Sequence, residues 1–336
     1  GKGANMMVMN SLGLNVPSGF DIPIAVSRYK LWKKYSDQFD RMVLREMKVL
    51  EDNWSEKHSA FSGESSLFRF NPEIDELRKG VIPLLVSIRP GSILKMPGSL
   101  PTITNIGINE KIVEFLAGKF NPRFAYDTYS RFLESYGEGV YGISSERFNN
   151  ILEIYTYESG SSDRSKMNAP QLKILCERFK NLIVRELEIM GQDSGVLERD
   201  LAYPLGQLRK ALRAVLNSWE REDAFKYRAC HGISNNFYPS VTVQAMVNGN
   251  LDSESGAGVL IYRNVDGRII ITGEYSSNAQ GLDIADGLIR PGKINTLKER
   301  NPRLYNRLVE EAGKLSACYF IDPEIEFTVS GQGQLW

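Results

Sequence analysis

Residues 84–109 read LLVSIRPGSILKMPGSLPTITNIGIN. The first five are apolar apart from Ser87, and the run from 81 to 88 (VIPLLVSI) is β-branched and apolar, which suits a strand buried on both faces. Pro83 cannot donate to a ladder, so the strand is expected to start no earlier than Leu84. It ends on Arg89, which brings a guanidinium out at a strand end, where the sites of α/β-type sheets gather. Pro90-Gly91 and Pro97-Gly98 then bracket a loop rich in backbone donors, to which Ser92, Lys95 and Ser99 add more. An anion suits such a loop. An arginine that caps carbonyls beside an ordinary surface loop accounts for the same residues equally well.

The totals exclude several function classes. Lys plus Arg number 41 and Asp plus Glu 41, so no global charge points to nucleic acid or an anionic membrane. The 42% hydrophobic and 24% charged fractions are those of a water-soluble globular chain, and no apolar run reaches the roughly 18 residues of a bilayer span. Cys176, Cys230 and Cys318 are scattered and odd in number, which predicts a reducing, cytoplasmic setting. His58 and His231 are the only histidines, too few for a His-rich metal site or a His-dependent triad. The chain opens on GKGAN without methionine and closes on QGQLW, so the expectation is a part of something longer.

Working outward from the quoted stretch, Ala4, Met7, Val8 and Leu12 approximate the stripe of a helix, and GLNVPSGFDIPI follows as a turn leading into extended chain. Helical patterns dominate from Glu110 to about Trp219. Pro170 suits a first helical position, with Leu172, Leu175, Phe179, Leu182, Ile183 and Leu187 forming the apolar stripe behind it. The stretch 158–169 (ESGSSDRSKMNA) reads as a surface loop. After Pro239 the pattern turns to strands: SVTVQAMV alternates, and GVLIYR and RIIITGEY flank an Asp-Gly hairpin turn. Asn301-Pro302 predicts a helix start with Leu304, Leu308, Ala312 and Leu315 inward, and IEFTV-SGQGQ-LW predicts a closing hairpin. The class is α+β.

Four sets of residues have chemistry to offer. Gly1-Lys2-Gly3 at a helix start sets an ammonium beside free backbone N–H groups, a combination that favours phosphate, although a flexible exposed lysine reads the same way. Arg89 and its loop are the second. Glu324 and Glu326, two apart in PEIEF, share a strand face and suit Mg²⁺, which takes one or two protein carboxylates plus substrate phosphates; a solvated strand face is the plainer account. The 278–281 stretch (NAQG) offers amides to a polar ligand or simply makes a turn, and His231 reads as structural.

Together these segments resemble the ATP-binding domain of the pyruvate, phosphate dikinase family, a relative of phosphoenolpyruvate synthase. The resemblance rests on GKGANMMVMNSLGLNVPSGF, LLVSIRPGSILKMPGSLPTITNIGIN, FAYDTYSRF, VLNSWEREDAFKYR, VTVQAMVNGN, GAGVLIYRN, GEYSSNAQGLDIADG and IEFTV, eight matches in the family's order that cover nearly the whole chain. It implies an ATP-grasp fold of two sheet-bearing lobes with a helical inserted subdomain. The expected boundaries are 1–109 for the N-terminal lobe, with 196–239 returning to it, 110–195 for the insert and 240–336 for the C-terminal lobe. Lys2 and Arg89 match the family's phosphate-binding lysine and arginine. Gly98, with Ser99, Leu100 and Thr102, matches its glycine loop. Gln244, Met246 and Val247 resemble the hinge that receives adenine. Glu324 and Glu326 match the metal-binding pair, Glu324 standing where the family usually has aspartate.

The resemblance implies a transferase that binds ATP and Mg²⁺ and passes a phosphoryl group to a phosphocarrier-histidine domain or an acceptor protein, without nucleic acid or membrane partners. Several positions depart from the family. Pro90 stands where serine is usual, Pro101 where an acidic residue is, and Leu282 where a glutamate is, while Arg290 is offset by one. The family's glutamine-x-arginine pair would follow Trp336, and neither histidine lies in its carrier motif. These departures keep two other readings open: a divergent ATP-grasp kinase or nucleotidyl transferase with another acceptor, and a catalytically impaired regulatory or binding module.

Overall fold

A computed structural model describes the chain except for Gly1, residues 63–64 and 92–99, Ser194, Asp286, Leu288 and Gln332, together with the side chains of Lys2, Phe61, Ser62 and Ala285. The described residues form an α+β structure divided into two compact units. One comprises Gly1–Ala4, Pro17–Tyr155 and Ala169–Met246; the other comprises Asn5–Val16, Thr156–Asn168 and Val247–Trp336. Helix α1 (Lys2–Ser11) contributes to both. The boundaries expected at 109/110, 195/196 and 239/240 do not coincide with this division.

The first unit contains β1 (Gly19–Ile22), β2 (Phe68–Arg69), β3 (Ile82–Pro83), β4 (Val86–Gly91), β5 (Ile103–Ile106) and β6 (Ser240–Ala245). Four of them make an antiparallel sheet in the order β1-β6-β4-β5, while β2 and β3 pair in parallel through Phe68↔Ile82 and Arg69↔Pro83. Pro83 is therefore in a ladder, but in a two-residue one at an edge, where its missing N–H is tolerated. The second half of the quoted stretch turns sharply at the end of β5. Asn105 has φ 56° and Gly107 φ 108°. A Cβ at Gly107 would lie 2.9 Å from the Phe70 ring, so glycine is required there for conformation and for space.

One face of this sheet is apolar. Val86, Ile88, Ile103, Ile106, Val241 and Val243 have no exposed surface at all. Helices α2 (Glu110–Lys119), α3 (Pro122–Tyr141), α4 (Ala169–Ile189) and α5 (Pro204–Ser218) supply the surrounding core, with α3 packed on β5 and α5 on β4. α3 starts where Asn121 accepts the Phe124 N–H at 2.7 Å with Pro122 at its head, and it stops at Gly142, φ 72°. Of the stripe expected for α4, Leu172, Leu175, Phe179, Ile183 and Leu187 are fully buried and Leu182 is half-buried. A buried amide ties α5 to the end of β5. Gln207 Nε2 donates to the carbonyls of Ile108 and Leu201, and Oε1 accepts the Gly107 N–H, each at 2.9 Å.

The second unit contains β7 (Gly256–Val265), β8 (Arg268–Ser277), β9 (Gly292–Lys293) and β10 (Glu324–Val329), in the order β10-β7-β8-β9. The expected hairpin is present. Asp266 (φ 51°) and Gly267 (φ 83°) both have left-handed backbones, the two-residue turn whose twist matches the strands. Helix α6 (Pro302–Tyr319) begins at Asn301, whose side chain accepts the Leu304 N–H at 3.1 Å, and it buries Leu304, Tyr305, Leu308, Ala312 and Leu315. Its apolar face shares a core with Leu260, Tyr262, Tyr275, Phe327 and Val329. The closing hairpin also forms, with Thr328 and Trp336 exchanging backbone bonds of 3.0 and 2.9 Å.

Two local expectations fail. Of the stripe expected around α1, Val8 and Leu12 are partly buried but Ala4 and Met7 are exposed, with Met6 and Met9 partly buried instead, because a methionine-rich segment carries two overlapping stripes. The 158–169 stretch is not a free surface loop. Arg164, Ser165 and Met167 are buried and Asp163 caps a short 3-10 turn there.

Candidate functional site

Strand alternation sorts the first sheet into two chemically different faces. On the face opposite the apolar one, the register aligns Asp21 of β1 with Thr242 of β6, and Thr242 with Arg89 of β4. The next row aligns Gly19, Gln244 and Ser87, and Ser240 stands opposite Gly91. A polar surface thus crosses three strands, with one cation and one carboxylate in the same row. Thr242 is buried and donates its Oγ1 hydrogen to Asp21 Oδ1 in a short contact. Arg89 is half-buried and Asp21 exposed.

Glycines at the edge of this face admit backbone where a side chain would intrude. A Cβ at Gly19 would come 2.7 Å from the Val243 carbonyl oxygen. Gly3, in the first turn of α1, is buried, and a Cβ there would fall onto the Asp21 carboxylate. The start of α1 therefore lies against the polar face, and Lys2 is the first residue of that helix.

Met246 donates its N–H to the Leu85 carbonyl at 2.9 Å, so the odd-numbered residues of β4 direct their backbone groups at β6 and the even-numbered ones at β5. Pro90 is even-numbered and lies beyond Ile88, the last residue paired with β5. Its missing N–H removes no ladder bond, and Pro90 is buried on the apolar side of the sheet.

The other expected residues fall as follows. Gly98 and Ser99 lie outside the described residues. Leu100 is an apolar neighbour of Trp219 and Ala224, and Thr102 is half-buried just before β5. Gln244 donates Nε2 to the Pro17 carbonyl at 3.1 Å, and Met246 and Val247 are half-buried just after β6. On one sheet face the first unit thus places Arg89 and Gln244 with Asp21, Thr242 and Ser87, and the first turn of α1 lies alongside.

In the second unit Glu324 and Glu326 are both exposed on one side of β10, while Phe327 and Val329 are buried on the other. The Glu326 row continues through Val259 to Glu274, which faces Lys293. Among the described residues no group of three or more His, Cys, Asp or Glu is gathered for a metal. Two carboxylates of hard oxygen donors still fit a Mg²⁺ ion whose other ligands are phosphate and water. The amides of 278–281 are used internally. Asn278 N donates to Ser255 O at 2.7 Å, Gln280 Nε2 to Asn250 Oδ1 at 3.1 Å and Gln280 N to Asp283 Oδ2 at 2.8 Å, so this stretch is a locked turn.

Neither histidine belongs to these surfaces. His58 packs its ring 4.6 Å from Trp54 and 4.8 Å from Phe68, and burial holds its pKa below the ordinary imidazole value. His231 stacks on Tyr227 at 4.0 Å. Among the described residues no helix is long and apolar enough to cross a membrane.

The chain matches the family described as "Pyruvate phosphate dikinase, AMP/ATP-binding domain" over residues 1–325. It is 35% identical over 339 residues to a chloroplastic pyruvate, phosphate dikinase of Mesembryanthemum crystallinum, covering 100% of this chain and 33% of that protein. A chloroplastic pyruvate, phosphate dikinase of Flaveria trinervia is 36% identical over 347 residues, with 100% and 32% covered. The pyruvate, phosphate dikinase 2 of Zea mays is 33% identical over 347 residues, with 100% and 35% covered. The chain spans about a third of the length of these relatives.

Proposed function

Because the chain belongs to the pyruvate phosphate dikinase AMP/ATP-binding family, we propose that it binds Mg·ATP and hands a phosphoryl group to a histidine on another domain or partner protein. The observation that carries this reading is the polar face of the first sheet, where Arg89 stands in register with Thr242 and the start of α1 lies alongside. Phosphoryl transfer asks a protein for positioning and charge neutralisation more than for covalent chemistry.

In this reading Arg89 holds phosphate oxygens through its planar fork of donors, fixed in direction because it sits within a paired strand. Lys2, at the head of α1, adds an ammonium where the helix end is already electropositive. The 244–247 segment receives the base. Glu324 and Glu326 hold the cation, which when bound neutralises charge on the phosphate oxygens. Pro90 pairs with Val241 without losing a ladder bond, which supports retention of Arg89's setting despite that departure from the family pattern.

Calorimetry with Mg·ATP tests the binding step on wild type and Arg89→Ala, with an expected affinity loss of at least about tenfold for a charge-assisted contact. An unchanged affinity removes Arg89 from the site. Transfer is tested with ATP labelled on its terminal phosphates and a carrier-histidine domain from a relative. Acid-labile label on the carrier supports the reading. Label on other acceptors, or binding without any transfer, replaces it with a divergent kinase or a binding module.

A further inference from the structure

Among the described residues of the polar face, Asp21 is the one that works against an anionic ligand. It shares a row with Arg89, two strands away and so roughly 10 Å across the sheet. Its carboxylate is held in place from two sides. The buried Thr242 donates a hydrogen bond to it, and the first turn of α1 closes over it so tightly that only glycine fits at position 3. An exposed carboxylate free to swing would turn towards water. This one is fixed on the surface that, on the nucleotide reading, meets the phosphates, and the inference rests on that reading.

We infer that Asp21 sets the site's preference for cation-loaded over metal-free nucleoside triphosphate. A polyphosphate that engages Arg89 lies roughly 10 Å from the Asp21 charge, comparable with the Debye length of about 8 Å at physiological salt, so part of the repulsion survives screening. Repulsion scales with the product of the charges, and a divalent-cation complex carries about two fewer negative charges than the free triphosphate. The fixed carboxylate therefore penalises the free form more, and it does so without touching the cation. A residue that only anchors the start of α1, through its favourable interaction with the helix N-terminus, would alter both forms alike.

The experiment is calorimetric titration of the chain with ATP in EDTA and with ATP in excess Mg²⁺, on wild type, Asp21→Asn and Asp21→Glu. Asp21→Asn keeps an oxygen for the Thr242 hydroxyl and removes the charge. The ratio of free to Mg²⁺-loaded dissociation constants is expected to fall at least about fivefold in Asp21→Asn, through tighter binding of free ATP, and the difference should shrink as salt is raised. Asp21→Glu keeps the charge but not its fit beneath α1, so its ratio should lie between those of wild type and Asp21→Asn. An unchanged ratio in Asp21→Asn, or equal shifts in both forms, overturns the inference while leaving nucleotide binding intact. If wild type binds neither form, the nucleotide reading fails and takes this inference with it.

Discussion

Gln207 offers a direct measure of what one buried amide contributes to the first unit. It is fully buried and makes three hydrogen bonds of 2.9 Å, donating to Ile108 and Leu201 and accepting from Gly107. Gln207→Leu keeps much of the volume and removes all three. At roughly 0.5–1.5 kcal/mol net per bond the loss is about 1.5–4.5 kcal/mol, with the stranded Gly107 N–H pushing towards the upper end. Better burial of the leucine returns about 1 kcal/mol, leaving a cost of about 3 kcal/mol. Hydrogen exchange read by mass spectrometry reports this locally. Peptides covering residues 103–120 should exchange roughly 100-fold faster, since about 1.4 kcal/mol is tenfold, while peptides from β7 and β8 keep their rates. Gln207→Glu turns two donor contacts into carboxylate facing carbonyl and should be at least as damaging. Acceleration below about tenfold in 103–120, or equal acceleration in both units, would refute the reasoning.

Three further outcomes are expected. Asn301→Ala removes the cap of α6 and should cost about 1 kcal/mol, seen as faster exchange in the first turns of Pro302–Tyr319. Gly258→Val drives a side chain into the space between the stacked rings of Tyr275 and Phe327, 6.1 Å apart, and should destabilise the second unit by about 1–3 kcal/mol in a thermal melt. His58 is held below its ordinary pKa by burial, so the unfolded chain takes up a proton first as pH falls. Its contribution is fully present above about pH 6.5 and is lost as pH falls from there through the lower folded-state value, a slope that should vanish in His58→Phe when denaturation midpoints are compared across pH 5–8.

Signals carried by neighbouring residues were legible in the sequence. Asn301-Pro302, the Asp-Gly turn, and the stripe from Leu172 to Leu187 each declare themselves within a few positions, and all three formed as expected. The α1 stripe and the 158–169 stretch misled, since the burial of Met9 or Arg164 is decided by packing and not by local pattern. The candidate site divides in the same way. Arg89 is visible because it ends a short apolar run. Asp21 and Thr242 are not, because what joins them is cross-strand register between segments far apart in the chain. The alternation in SVTVQA was enough to put Ser240, Thr242 and Gln244 on one face, but it could not name the strand they would meet. For the 278–281 stretch the sequence left a ligand site and a turn equally open, and the bond from Gln280 to Asn250, thirty residues away, could not be read locally.

The strand order β1-β6-β4-β5 has a consequence for biosynthesis. Ile22 waits for Val241, and Ile88 waits for Val243, so the inner strand that joins β1 to β4 is the last of the four to leave the ribosome. At about 5–20 residues per second that delay is on the order of ten seconds or more, during which β1 has no sheet partner and one edge of β4 stays open. The nascent chain is thus exposed to edge-to-edge aggregation until residue 245 has emerged, and a fragment ending before β6 would leave that sheet incomplete.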